Sequence, residues 1–340
     1  MTRSLTSRPL RSALGAAVVA VPLVLAACGS TAPGEEGTPS SAAPDLGALT
    51  IGLTYTPNVQ FAPFYVAAEN GYYDEAGLDV ELRHHGPSES LFGALEAGEE
   101  DLVVAGGDEI LQARSQGVEA VSVATLYQTY PVALLVADDA PVTGPDDLAG
   151  AVVGTPGPYG ETYFGLLALL DAAGLAQDDV QVEFIGYTQQ AALTTGAVDG
   201  VMGYVNNDAV QLERSGVAIR TIPLGDVPLV GIGLGARDDV VAERPDAVRA
   251  FLDATLRGLA DVVADPEAAV ELSAEHIPGM TASAQEDALA TLEATIPLYG
   301  DASGRADLET WTAMVEFMAS RDLLEGEVDV ADAVTNDLLP

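Results

Sequence analysis

The chain has 340 residues, 52 acidic against 13 basic, and a net charge of −39; every basic residue is an arginine. So acidic a balance excludes nucleic acid and anionic lipid surfaces as partners, because both need a basic footprint; it otherwise reads as solubility, a salty habitat or genome bias, with a caution against a strongly anionic ligand. One cysteine allows neither a disulfide framework nor a cysteine metal cluster, and the 48% apolar content is ample for packed cores.

Arg3, Arg8 and Arg11 precede an apolar run from Ala13 to Ala27, the order of an export leader. That run is short for a membrane span, which takes about 20 residues, and no other stretch approaches it. Leu25-Ala26-Ala27-Cys28-Gly29 resembles a bacterial lipobox, which implies cleavage before Cys28 and a lipid on its thiol. The chain is then anchored to the outer face of the cell membrane; a buried structural cysteine is the alternative and fits poorly beside Gly29 and Ser30. Removing the leader takes away three arginines and no acids, so the charge goes from −39 to −42. Residues 28–47 are mostly Gly, Pro, Ser, Thr, Ala and Glu, too poor in large apolar side chains to order themselves, and read as a tether.

Residues 48–340 exceed what one core usually holds, so two lobes are expected. Strand Leu49 to Tyr55, helix Ala62 to Ala76, strand Leu78 to Arg83, helix Ser88 to Ala97, strand Leu102 to Ala105, helix Ile110 to Gln116, and strands Ala120 to Thr125 and Val132 to Ala137 form an α/β series. This predicts a mostly parallel sheet covered by helices, a first lobe over 48–138. A second series over 139–225 has helices Asp146 to Leu148, Glu161 to Ala173, Gln189 to Thr195 and Asp208 to Ser215. Its strands are Ala151 to Gly154, Gln181 to Ile185, Gly200 to Tyr204 and Ala218 to Ile222. Residues 226–340 return to the first lobe. Their glycine-rich Gly231-Ile232-Gly233-Leu234-Gly235 reads as hinge or strand packing, and helices Pro245 to Ala264, Pro266 to His276, Ala282 to Thr295 and Leu308 to Ser320 form a tail. Two crossings between lobes make a hinged cleft.

Open α/β sheets bind ligands beyond the carboxyl ends of their strands, so the informative residues lie in strand-to-helix loops. The first loop offers Tyr55, Asn58 and Phe61, an amide among flat faces, although Asn58 also suits a helix cap and Phe64 and Tyr65 read as core. The third strand ends in Gly106, Gly107 and Asp108; the glycines let backbone approach a guest, while Asp108 is a ligand contact or simply an N-cap. Tyr127 and Gln128 face the cleft or pack the hinge. Gly154 to Thr162 is a glycine-rich loop of the kind that cradles anions. Glu161 there repels a phosphate or sulfonate and can pair with ring nitrogen and amino donors, or serves only as a first-turn acid worth about 0.3 to 1 kcal/mol. Tyr159 is placed to stack, with Gly160 beside it. Tyr187, Tyr204 and Asn206 occupy the equivalent loops of the second lobe, where tyrosine suits an aromatic guest.

Thr56-Pro57-Asn58, Ala67 to Tyr73, Gly77-Leu78-Asp79-Val80, Gly107-Asp108-Glu109 and Gly160-Glu161 give the chain its resemblance to binding proteins for thiamine-pyrimidine precursors and their wider group of sulfonate and riboflavin binders. The resemblance implies a two-lobe type II periplasmic-binding-protein fold with a helical C-terminal tail. It also implies a monomeric solute-binding component of an ABC importer, with a permease and ATPase as partners, and a pyrimidine precursor as first ligand, riboflavin or a sulfonate as alternatives. Asn58, Tyr159, Gly160 and Glu161 match its pyrimidine-binding pattern. A tryptophan often stands beside the asparagine in precursor binders; here Tyr55 does, and the sole tryptophan, Trp311, lies in the tail. Eukaryotic relatives of the group are enzymes carrying a cysteine- and histidine-rich motif, which this chain lacks.

No catalytic constellation, metal set or cofactor loop stands out: G-x-S-x-G, H-E-x-x-H and a P-loop lysine are all missing. His84 and His85, adjacent on a strand, point to opposite faces and read, with His276, as solvated rather than metal-binding. A pyrimidine-synthesis-type enzyme or a surface sensor on the same fold is the reading from another class, beside an unrecognised carboxylate enzyme.

Overall fold

The structure, a computed structural model, describes residues 44–86 and 89–340; the leader, Cys28 and most of the tether lie outside them. The first run of elements is β1 (Gly47–Leu53), α1 (Ala62–Glu69), α2 (Tyr72–Glu75), β2 (Leu78–His84), α3 (Gly93–Ala97), β3 (Leu102–Gly106), α4 (Gly107–Ser115) and β4 (Ala120–Thr125). The single helix expected over 62–76 is two, because Gly71 takes a left-handed φ of 72° between them.

The chain then leaves this sheet earlier than the sequence suggested. β5 (Val132–Ala137) pairs antiparallel with β8 (Gly200–Tyr204) and β9 (Ile219–Pro223), so the crossing falls at 126–131 and not near Asp138. The second sheet runs β7-β6-β8-β5-β9, with β6 (Val152–Thr155) parallel to β7 (Gln181–Phe184) and β8. Helices α5 (Gly160–Ala172), α6 (Gln189–Thr194) and α7 (Asp208–Arg214) connect its strands.

The return is β10 (Ile232–Arg237), which slots antiparallel between β3 and β4 to give the first sheet the order β2-β1-β3-β10-β4. Its glycines are a packing requirement: a Cβ on Gly233 would lie 2.1 Å from the carbonyl oxygen of Ala124. Both sheets are therefore mixed, each holding parallel strands plus the one strand brought over from the other series. Mixed α/β with two sheets and a helical C-terminal region is the architecture expected from the sequence.

The tail comprises α8 (Asp238–Glu243), α9 (Pro245–Ala264), α10 (Pro266–Ser273), α11 (Ala282–Thr295), α12 (Leu308–Ser320) and α13 (Val330–Ala333). One core, with Leu49, Ile51, Phe64 and Phe251, holds α1 and α9 on the first sheet, and a second, with Leu134, Val153 and Leu169, lies in the second lobe. α9 meets α1 so closely that a Cβ on Gly258 would stand 2.3 Å from the carbonyl oxygen of Pro63. A third cluster joins Leu111 of α4, Phe164 of α5, Val230 and Trp311 of α12, so apolar packing bridges the lobes along a seam. Among the described residues no helix is long and apolar enough to cross a membrane.

The histidines correct one expectation. His84 and His85 do diverge, but neither is simply solvated: His84 Nε2 is 2.9 Å from the Tyr65 hydroxyl, and His85, 3% exposed, meets buried Glu100 at 2.8 Å. His276 stacks on Tyr65 at 4.5 Å. Tyr65 of α1, His276 of the tail and Glu100, just before β3, cover the end of β2, which the local sequence did not reveal. Among the described residues no group of three or more potential ligands could hold a metal ion.

Candidate functional site

Helix N-termini stabilise acidic side chains, because the unpaired amides and the helix dipole are positive there. α4 follows β3 directly and α5 follows β6 after the short loop 156–159, and both carry their acids in the first turn: Asp108 and Glu109 on α4 from the first lobe, Glu161 on α5 from the second. The two helix starts face each other across the seam. A Cβ placed on Gly106 would be 2.5 Å from Asp108 Oδ1 and 2.9 Å from Glu161 Oε1, so any larger residue there would push the two carboxyls aside. A Cβ on Gly160, held at φ 73°, would be 3.4 Å from Glu109 Oε1.

Hydrogen bonds fix the acids. Asp108 is fully buried; its Oδ1 accepts from the Glu109 amide at 2.8 Å and its Oδ2 lies 2.6 Å from the Tyr130 hydroxyl. Tyr130 also donates toward the backbone carbonyl of Glu161 at 2.9 Å. Glu161 is 2% exposed; its Oε2 accepts from the Tyr204 hydroxyl at 2.6 Å, while its Oε1 has no partner. Glu109 Oε2 accepts the Gly106 amide at 3.0 Å. Asn206, 1% exposed, donates to Thr295 of α11 at 2.9 Å and leaves its own oxygen unpartnered.

Burial without a counter-ion sets the charge state. Burial first, then the Glu109 charge, pushes Asp108 up to about 8. Burial raises Glu109, and burial followed by the charges of Asp108 and Glu109 holds Glu161 well above the carboxylate range. None of the ion pairs among the described residues involves these three acids. The seam thus presents neutral carboxyls able to donate, a free buried acceptor and tyrosine hydroxyls. Such a set suits a flat ring with alternating donors and acceptors and opposes an anion.

Three tyrosines stand at the rim, Tyr55 at 45%, Tyr159 at 53% and Tyr187 at 73% exposure. Burial, then Tyr159, Glu109 and Tyr55, raise the Tyr187 hydroxyl. Tyr159 folds back over Gly157, where a Cβ would meet its ring at 2.3 Å.

Six residues expected from the sequence, Tyr55, Asp108, Tyr159, Glu161, Tyr187 and Tyr204, share this neighbourhood, with Gly160 shaping the entry to α5. Four others sit differently. Phe61 is core, edge-on to His84 at 5.5 Å. The Gly107 amide bonds to the carbonyls of Val230 and Gly231, and Val230 and Trp311 take the space a guest would need. Tyr127, 4% exposed, packs edge-on to Tyr299 at 5.4 Å. Asn58 caps the turn at Val59–Phe61 by accepting from the Gln60 amide at 3.1 Å, and lines a crevice with Gln211 and Met280. For Phe61, Gly107 and Tyr127 a neighbour in space, absent from the local sequence, claims the group; for Asn58 it is the local cap. Asn206 tethers the lobes. Tyr130 and Glu109 were missed: Tyr130 stands just before Pro131 on the first crossing, and the signal for Glu109 was its third position in α4, from which it bonds the Gly106 amide.

The profile of the family described as NMT1/THI5 like matches residues 58–269. The riboflavin-binding protein RibY of Chloroflexus aurantiacus is 34% identical over 94% of this chain and 95% of its own. The formylaminopyrimidine-binding protein of Halalkalibacterium halodurans is 26% identical over 86% of this chain and 90% of its own. An enzyme, 4-amino-5-hydroxymethyl-2-methylpyrimidine phosphate synthase of Legionella pneumophila, is 23% identical over 86% and 92%. Among solved structures the fold matches the alkanesulfonate-binding protein SsuA of Xanthomonas axonopodis pv. citri, with a TM-score of 0.68 and 18% identity over 87% of this chain and 99% of that one.

Proposed function

The chain belongs to the NMT1/THI5-like family, and from that membership we propose that it is the extracytoplasmic solute-binding component of an ABC importer, lipid-anchored through Cys28, that closes two lobes on a flat nitrogen heterocycle. The carrying observation is Glu161, whose buried, unpartnered Oε1 faces Asp108 across the seam with no cation beside them. A buried acceptor left open calls for a donor, and neutral carboxyls beside it call for ring acceptors. A sulfonate would bring a fixed negative charge to three acids with no cation beside them, which argues against that ligand although sulfonate binders share the fold.

Riboflavin is the first candidate. Tyr55, Tyr159 and Tyr187 offer more aromatic face than one six-membered ring covers, and the riboflavin-binding relative is 34% identical over nearly the whole of both chains. A thiamine pyrimidine precursor, placed first by the sequence alone, is the second reading, favoured by the amino donor it would offer Glu161. Neither reading includes a catalytic step. The seam carries carboxyls, phenols and an amide, whereas the histidines are engaged with Tyr65, Glu69 and Glu100. Binding shifts the population toward the closed form, which docks as a monomer on a permease and its ATPase.

Thermal shift and calorimetry of the mature chain against riboflavin, formylaminopyrimidine, hydroxymethylpyrimidine, thiamine, taurine and MOPS test this. A true ligand at about a hundred times its Kd adds roughly 2.7 kcal/mol of stability. A response to taurine or MOPS, or to none of the heterocycles, refutes the reading. Loss of labelled fatty-acid incorporation in Cys28→Ser tests the anchor.

A further inference from the structure

Proton counting at the seam leads past ligand identity. Tyr130 Oη lies 2.6 Å from Asp108 Oδ2 and 2.9 Å from the carbonyl oxygen of Glu161. A phenol has one proton, and an ionised Asp108 makes both of those partners acceptors, leaving one contact without a hydrogen. A proton on Asp108 Oδ2 resolves this: Asp108 donates to Tyr130, Tyr130 donates to the carbonyl, and Asp108 Oδ1 stays free to accept the Glu109 amide at 2.8 Å. The chain of donors runs from α4 of the first lobe, through the crossing segment, to α5 of the second.

We propose that Asp108 and Tyr130 form a proton-operated latch between the lobes, so that closing takes up a proton at Asp108 and opening releases it. Tyr130 is a positioning residue in this device: it holds the start of α5 against the start of α4. Burial and the neighbouring acid raise Asp108, the Tyr130 hydroxyl and the Glu109 amide lower it, and the first outweigh the second. Glu109 flanks Asp108 on α4, Glu161 opposes it from α5, Tyr204 and Tyr127 close the floor, and Tyr55, Tyr159 and Tyr187 form the rim; no arginine pairs with any of the three acids.

The sign follows from linkage. Asp108 is raised in the closed form to about 8 from its ordinary value of 3.8, so the closed form holds more protons between those limits. Closure is fullest in acid, weakens as pH rises through that window, and changes no further above about 8.

The test uses the ligand-free mature chain, produced without its lipid, with the radius of gyration from X-ray scattering and the emission of Trp311, buried beside Gly107, followed across the window. The closed-to-open ratio is expected to fall with pH by up to about tenfold per unit for each proton released. In Asp108→Asn the amide donates to Tyr130 at every pH, so the variant stays closed to higher pH and its slope drops by one proton. Tyr130→Phe opens more readily at all pH. Infrared spectra of the wild type at neutral pH should show a protonated-carboxyl stretch, which Asp108→Asn weakens by one carboxyl while the Glu161 contribution stays. Wild-type dimensions indifferent to pH, an unchanged slope in Asp108→Asn, or no such stretch in the wild type would each overturn the latch. The infrared reading on wild type stands even if a variant fails to fold.

Discussion

Glu161→Gln separates the two things that Glu161 does, because its effects with and without ligand carry opposite signs. A donor on the ligand makes Glu161 give up its proton and turns Oε1 into a charged acceptor, which the variant lacks, while the Tyr204 hydroxyl can still donate to the remaining oxygen at the 2.6 Å position. Losing a hydrogen bond to a charged group costs about 1.5 to 3 kcal/mol, or roughly 10- to 150-fold in Kd. Without ligand, the wild-type acid is held well above the carboxylate range by burial and by the charges of Asp108 and Glu109. A raised acid contributes stability that is full in acid and lost as pH rises, so the uncharged glutamine should melt above the wild type at pH 8 and converge on it near pH 5. Calorimetry with riboflavin and with formylaminopyrimidine, beside thermal melts at both pH values, reads both signs. Wild-type affinity for every heterocycle, or a variant that melts lower at pH 8, would refute the reasoning.

The rim and the core should respond separately. Tyr159→Ala and Tyr187→Ala, truncating rings 53% and 73% exposed, should each weaken heterocycle binding by about 0.5 to 1.5 kcal/mol in calorimetry and leave the ligand-free melting temperature unchanged. Gly258→Ala drives a methyl to within 2.3 Å of the Pro63 carbonyl between α1 and α9, so chemical denaturation should show a loss of about 1 to 3 kcal/mol with ligand contacts untouched. Asn58→Ala removes the cap on the turn at Val59–Phe61 and should cost about 1 kcal/mol of stability; a binding loss without a stability loss would return Asn58 to the ligand.

Much of the site could be read from strand-to-helix loops alone, because a parallel strand must deliver its loop to the same end of the sheet. Tyr55, Tyr159 and Tyr187 lie in such loops, Tyr204 ends the strand before one, and Asp108 and Glu161 open the helices that follow. The partner of a strand is not written in that way. Val132 to Ala137 is apolar throughout and fits either sheet, and the short link from β4 reads as a turn within one lobe; only pairing with β8 and β9 takes it across. Tyr130 was passed over for the same reason, since its importance depends on where β5 goes. Gly107, Phe61 and Tyr127 carry the signals of a binding loop, but Trp311, His84 and Tyr299, distant in sequence, fill the space around them.

With 52 acids in the chain, a carboxylate near a glycine is unremarkable by count. What distinguishes Asp108, Glu109 and Glu161 is the distribution of the few cations. Arginines at 83, 114, 214, 220, 237, 244, 249, 257 and 321 all pair with acids elsewhere, several of them exposed, where such pairs contribute little. Buried Glu100 takes Arg83 and His85, whereas the acids of the seam are left without such partners. A buried carboxyl in that position must take up a proton or meet a donor. The closed, ligand-free lobes satisfy Asp108 by the first route, and a heterocycle arriving at Glu161 supplies the second, so proton and ligand compete to neutralise one set of charges.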